Sequence, residues 1–145
     1  MLGIDLKKSA FFYDYPTRNG EVFGQERRER ITSLTDLYPV VLNGKNMADH
    51  APALCDLEVV FATWGLPAFS DEQFEQLQNL KAVFYAAGNV KGFAGRLIER
   101  DILLVSAWAI NAIPVAEMVL AQILLTCRGY FRAVRGYRES RKGGE

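Results

Sequence analysis

Five short runs, at 9–15, 39–42, 57–62, 81–85 and 102–106, are apolar at nearly every position and are separated by segments with helical patterning. No other feature of the chain constrains its fold as much. A strand with one wet face alternates apolar and polar residues, whereas a strand of a parallel sheet is covered on both faces and reads as an unbroken apolar run. Parallel neighbours cannot be joined by a tight hairpin. They need a crossover, usually helical, and the spacers here have that length.

The expectation is therefore an α/β fold, a flavodoxin-like parallel five-stranded sheet in the order 2-1-3-4-5, with flanking helices and right-handed crossovers. Pro16 closes the first run and a loop with Asn19 and Gly20 follows. A charged helix is expected over 22–37, with Gln25, Glu26, Arg28 and Glu29 on its exposed face. Asn43-Gly44 ends the second strand as a turn signal, and a short helix over 48–54 is interrupted or started by Pro52. Ser70 and Gln73 have the spacing of a capping box, opening a helix that ends near Asn79. A further short helix is expected over 94–100.

The last element differs in kind. Asn111 suits a helix cap, and Pro114 fits the first turn, where amide hydrogens have no helical partner; the helix is expected to run to about Tyr137. Its first half is apolar on almost every side, and such a helix must be buried all round, against further chain or a second copy. The expected division is a flavodoxin-like domain over 1–112 and a long helical segment over 113–145. The apolar stretch 112–127 contains Glu117 and Gln122 and falls short of the roughly 20 residues that span a bilayer. With no signal-peptide pattern at the start, the chain reads as soluble and cytoplasmic, without a membrane partner.

Basic and acidic residues balance at 17 each, which argues against a nucleic-acid binder. The basic stretch of Arg128, Arg132, Arg135, Arg138, Arg141 and Lys142 reads as a solvated helix end, favoured there by the helix dipole. Cys55 and Cys127 lie far apart without metal-ligand spacing, so no metal is expected, and both read as buried free thiols in a reducing compartment.

Ligands of open parallel sheets bind beyond the carboxyl ends of the strands. Three loops leave such ends, at 63–67, 86–92 and 107–114. Gly65, Gly88 and Gly92 either admit a ligand to the backbone or simply supply turns. Trp64 either stacks on a ligand or covers an apolar gap. Asn111 either offers an anion its amide at a helix start or is a plain cap. The sequence has no GxGxxG, GxxxxGK[ST], GxSxG or HExxH. The single histidine, His50, lies in a polar segment and is expected to be solvent-exposed. A phospho-acceptor receiver domain is excluded, since the acidic pair, aspartate and lysine that it needs at the strand ends are missing.

Two stretches carry a resemblance to a known family. The first runs from Phe61-Ala62-Thr63-Trp64-Gly65 to Asn79-Leu80-Lys81-Ala82-Val83-Phe84-Tyr85-Ala86-Ala87-Gly88-Asn89-Val90. The second runs from Ile102-Leu103-Leu104-Val105-Ser106 to Asn111-Ala112-Ile113-Pro114-Val115-Ala116-Glu117. Together they resemble the N-terminal part of the D-isomer-specific 2-hydroxyacid dehydrogenases over about 57–132. The resemblance implies a substrate-binding domain over 1–112 that faces a Rossmann domain holding NAD or NADP, with 113–145 as the long interdomain helix, from Pro114, and the start of that missing domain. It places substrate contacts at Trp64, Gly65, Gly88, Asn89 and Asn111, although the turn after Ala87 is shorter than the family's Gly-x-Gly-x-Asp. The family's catalytic arginine, glutamate and histidine would follow residue 145, so no catalytic residue maps onto this chain and none of its residues is expected to hold the cofactor. The implied partners are a small 2-hydroxy or 2-keto acid and, through 113–137, a missing C-terminal domain or a second copy in a homodimer. The chain alone is expected to be inactive. The alternative is a stand-alone dimerising interaction or ligand-binding module that has lost the enzyme.

Overall fold

The computed structural model describes residues 6–14 and 22–142 and divides into two compact units, Met1–Trp108 and Ala109–Glu145. In the first unit the elements run β1 (Lys8–Phe12), α1 (Gln25–Leu34), β2 (Asp36–Leu37), a 3-10 turn (Met47–His50), α2 (Ala51–Leu54), β3 (Val59–Ala62), α3 (Asp71–Gln76), β4 (Ala82–Tyr85), α4 (Ala94–Ile98) and β5 (Leu103–Ser106). All strand pairs are parallel and the order is β2-β1-β3-β4-β5, the expected flavodoxin-like arrangement. Pro16, Asn19 and Gly20 lie outside the described residues.

The second strand is not where the apolar run placed it. Pairing with β1 is made by Asp36–Leu37, where Asp36 N donates to Lys7 O at 3.0 Å and Tyr38 N to Ser9 O at 2.7 Å. Pro39 has no amide hydrogen to continue the ladder, and the chain returns only as a single bridge between Leu42 and Phe12. The helix expected over 22–37 is accordingly shortened to Gln25–Leu34. Arg28, expected on its exposed face, is half-buried. It donates to Phe23 O at 3.0 Å and to the Tyr13 hydroxyl, and its guanidinium lies 4.8 Å from the centre of the Phe11 ring. It ties the start of α1 to the end of β1.

One face of the sheet holds the main core. Ala10, Phe12, Val60, Ala62, Val83 and Tyr85 meet Leu54 of α2, Phe74 of α3 and Leu97 of α4. Phe69 joins Phe12 to Phe74 through two edge-on ring contacts, each at 5.5 Å. The Ser70–Gln73 capping box forms in full: Gln73 N donates to Ser70 Oγ at 3.3 Å, and Ser70 N to Gln73 Oε1 at 2.9 Å. Two backbone donors that a helix start leaves unpaired are thereby satisfied. Pro52 sits in the first turn of α2, so it starts that helix.

The other face is covered only in part, which corrects the expectation of a sheet buried on both sides. Phe11, Tyr13 and Phe23 form a small cluster with Ile31 of α1 and Phe61. Beyond Phe61 the same face continues through register partners Phe84 and Val105. These, with Leu103, are exposed. Apolar runs reported both faces of each strand but could not report that helices α2–α4 all pack on one of them.

Two carboxylates organise the polar rim. Glu58 lies between Lys81 Nζ at 2.5 Å and Lys7 Nζ at 3.2 Å, and Asp71 receives Arg96 and Arg100, each at 2.5 Å. The hydrogen bond from Lys81 holds the Glu58 carboxyl below its ordinary range, and the hydrogen bond from Arg96 does the same for Asp71. A carboxyl whose pKa is lower folded than unfolded adds stability above the unfolded value of about 4, and that stability is lost as pH falls through the folded value. The melting temperature is expected to fall on acidification below about pH 5. Glu58→Gln should lower it at neutral pH and flatten its acid limb, as thermal unfolding across pH would show.

The second unit is two helices. Helix α5 (Trp108–Cys127) begins three residues before Asn111, so Asn111 is inside the helix and not its cap, and Pro114 lies in the interior. The loop expected over 107–114 reduces to Ala107. The helix also stops short of Tyr137. Gly129, at φ +72°, breaks it, and α6 (Tyr130–Lys142) follows. A left-handed glycine is the common end of a helix, because a Cβ there clashes. At 20 residues α5 is long and apolar enough to cross a bilayer by length and composition, which overturns the shorter estimate made from 112–127. None of its residues is buried. Both cysteines, expected in the interior, are exposed free thiols: Cys55 follows the last buried residue of α2, and Cys127 ends the bare α5.

Candidate functional site

The carboxyl ends of β3, β4 and β5 lie side by side. Ala86 N donates to Ala62 O at 2.8 Å, and Ala107 N to Tyr85 O at 3.0 Å, so each loop leaves its strand already tied to its neighbour. This edge brings together Trp64, Gly65, Gly88 and Asn89. Asn111 belongs to the second unit, as the fourth residue of α5.

Trp64 and Gly65 form the turn after β3, closed by Leu66 N donating to Thr63 O at 3.2 Å. Gly65 has φ +98°, and a Cβ there would stand 2.7 Å from Asp14 N and 2.9 Å from Asp14 Cβ. β1 and β3 are the neighbours at which the strand order reverses, the place where open sheets part to form a crevice. The missing side chain of Gly65 thus admits the backbone of Asp14. Trp64 is 38% exposed and so does not fill the core.

The turn after β4 is held from both sides by hydroxyls. Thr63 Oγ1, fully buried, donates to Ala86 O at 3.5 Å. Ser106 Oγ donates to Ala87 O at 2.9 Å and also reaches Gly88 O at 3.3 Å. Asn89 Oδ1 accepts from Lys91 N at 3.1 Å, a side-chain-made turn. At Gly92 a Cβ would meet nothing within 4 Å, so that glycine is not required by space. The positioning roles of Thr63, Ser106 and Asp14 went unnoticed in the sequence. The available signal was a hydroxyl residue at or just after the end of a parallel strand, where the next loop's carbonyls lie within reach.

His50 is half-buried, not solvent-exposed as expected; its Nδ1 is 2.9 Å from the Tyr38 hydroxyl, away from this edge. Among the described residues no group of three or more His, Cys, Asp or Glu is placed to hold a metal. The residues gathered here are an indole, a carboxamide, two structural hydroxyls and turn backbone. Among the described residues named at this edge there is no general acid–base pair.

A scan of protein-family models gives no match, and neither does a search of curated proteins. Among solved structures, the chain is similar to a 2-hydroxyacid dehydrogenase from Ketogulonicigenium vulgare Y25, with a TM-score of 0.61 at 14% sequence identity. The match covers 98% of this chain and 42% of that one. The likeness is one of fold: the α/β architecture of that dehydrogenase's matched part is the architecture of this chain.

Proposed function

We propose that this chain is the substrate-binding part of an NAD(P)-dependent oxidoreductase acting on a 2-hydroxy or 2-keto acid. The observation that carries the reading is the 2-1-3-4-5 sheet, shared at the level of fold with a 2-hydroxyacid dehydrogenase, with Trp64, Gly65, Gly88 and Asn89 gathered at its carboxyl edge. The acid's carboxylate binds at the turns after β3 and β4. The dinucleotide does not fit the residues described. A pyrophosphate site needs a glycine-rich turn running straight into a helix. Here the turns after β3 and β4 each run eight residues before α3 and α4 begin. The cofactor, the carboxylate-binding arginine and the proton-handling groups accordingly belong to a separate domain, reached through 113–145, with residues 1–112 as the substrate domain. The whole works in the cytoplasm.

This reading expects no NADH oxidation by the 145-residue chain with a panel of 2-keto acids. It also expects amide NMR shifts confined to Trp64, Gly65, Gly88 and Asn89 when a 2-keto acid is titrated in. Turnover by this chain alone would refute the placement of the chemistry elsewhere, and a silent carboxyl edge would refute the site. The second reading, a stand-alone dimerising module, draws on the bare α5, and a monomer over a wide concentration range in light scattering would count against it.

A further inference from the structure

The carbonyls of the turn after β4 do not keep a regular order. Tyr85 O faces β5, where Ala107 N donates to it at 3.0 Å. Ala86 O faces β3, where Thr63 Oγ1 donates to it at 3.5 Å. Ala87 O turns back toward β5 and accepts from Ser106 Oγ at 2.9 Å. To this point the carbonyls alternate between the two neighbouring strands. Gly88 O breaks the alternation: it too faces Ser106 Oγ, at 3.3 Å. Two successive carbonyls therefore crowd one side of the chain, and a single hydroxyl is the donor they share. Ser106 is placed for this because it ends β5 in register with Tyr85, the last residue of β4. All of these residues lie within the first unit.

Among the described residues every peptide bond is trans, and in a planar trans peptide the N–H points opposite to the carbonyl before it. With Ala87 O and Gly88 O both directed at Ser106, Gly88 N–H and Asn89 N–H both point to the other side. Among the described residues neither amide meets an acceptor. The Asn89 side chain does not supply one, since its Oδ1 accepts from Lys91 N at 3.1 Å. Successive amide donors on one side of a turn are suited to an anion. We propose that Ser106 is the positioning residue of the carboxyl-edge site: its hydroxyl holds two successive peptide groups turned the same way, so that Gly88 N–H and Asn89 N–H meet the ligand's carboxylate as a pair. This rests on the reading of the edge as the site of a 2-keto acid. The hydroxyl touches no ligand atom. It offsets the repulsion between two neighbouring carbonyl oxygens, each of which needs a donor. Without it one peptide group turns over and the two amides part.

The test is amide NMR on the 145-residue chain. Residual dipolar couplings are expected to put the Gly88 and Asn89 N–H vectors on one side of the turn before any ligand is added. Pyruvate should then shift both amides, and pyruvamide, which keeps the shape without the charge, should leave them in place. Ser106→Ala should weaken pyruvate binding about tenfold, roughly the loss of one hydrogen bond to a charged group. Ser106→Thr keeps the hydroxyl and should restore the affinity. N–H vectors on opposite sides in the unmodified chain overturn the proposal, whatever the variants do, and so do equal shifts with pyruvamide. A Ser106→Ala chain that melts lower but binds pyruvate unchanged overturns it as well, since the hydroxyl would then serve folding alone; the oxidoreductase reading survives that result. Equal losses in Ser106→Thr and Ser106→Ala would show that the hydroxyl is not the group that acts. Silence of Gly88 and Asn89 toward pyruvate in the unmodified chain overturns the proposal and the reading of the site together.

Discussion

Phe12→Ala is expected to cost about 3–5 kcal/mol, enough to unfold much of the protein at physiological temperature. Phe12 has no exposed surface, sits in the strand that joins both sides of the sheet, and meets Phe69 edge-on. Its removal takes away the ring's transfer free energy and leaves a cavity beside backbone that the β1–β3 ladder and the Leu42 bridge hold in place. A site that cannot collapse incurs the full cavity cost. Domains of this size are stable by about 5–15 kcal/mol in all, so the loss is a large fraction of the total. Urea unfolding followed by circular dichroism gives the figure directly. Ile98→Ala is the control: Ile98 is exposed at the end of α4, and a change below about 0.5 kcal/mol is expected. Equal losses at the two positions would contradict the placement of the core.

Gly65→Ala is the second large effect, and it arises from the backbone and not from burial. A φ of +98° is strained for any residue with a Cβ, by about 1–3 kcal/mol. The added carbon would also stand 2.7 Å from Asp14 N, and a backbone atom cannot rotate away as a side-chain tip does. A total loss of about 3 kcal/mol is expected. Gly92→Ala separates the two kinds of glycine on this edge. Its Cβ has open space and no positive φ, so the substitution should be neutral or stabilise by about 0.4–1 kcal/mol through the unfolded chain. Thermal unfolding of both variants checks the pair. If Gly65→Ala were harmless, the turn after β3 would have a different conformation from the one described.

The strand order could be read from the sequence because it rests on features that are local and repeated. Unbroken apolar runs separated by helical segments leave few topologies, and the handedness of crossovers removes most of those. Ser70 and Gln73 were legible for the same reason, since a capping box spans only four residues. The errors fall where a remote partner decides. Asp36 and Leu37 look like the end of a polar helix until Lys7 O accepts from Asp36 N and Ser9 O from Tyr38 N, and Pro39 denies the next run its amide. Asn111 has a cap's chemistry, yet α5 begins at Trp108. Gly129 is the opposite case, a local signal passed over within a longer apolar and basic pattern. At the candidate site the glycines and Trp64 were visible as residues, but the use of Gly65 was not. The reason for a glycine there is Asp14, fifty-one positions earlier.

The brevity of β2 bears on how the protein would misassemble. A strand of two residues followed by a bend and a proline offers an incoming chain too few free backbone groups to extend the sheet. The opposite rim is β5, whose Leu-Leu-Val-Ser carries neither lysine nor proline to turn a neighbour away. Growth of an ordered aggregate from the native sheet is therefore polar. Strand addition is expected at the β5 rim, and a single charged residue on β5 is expected to suppress it.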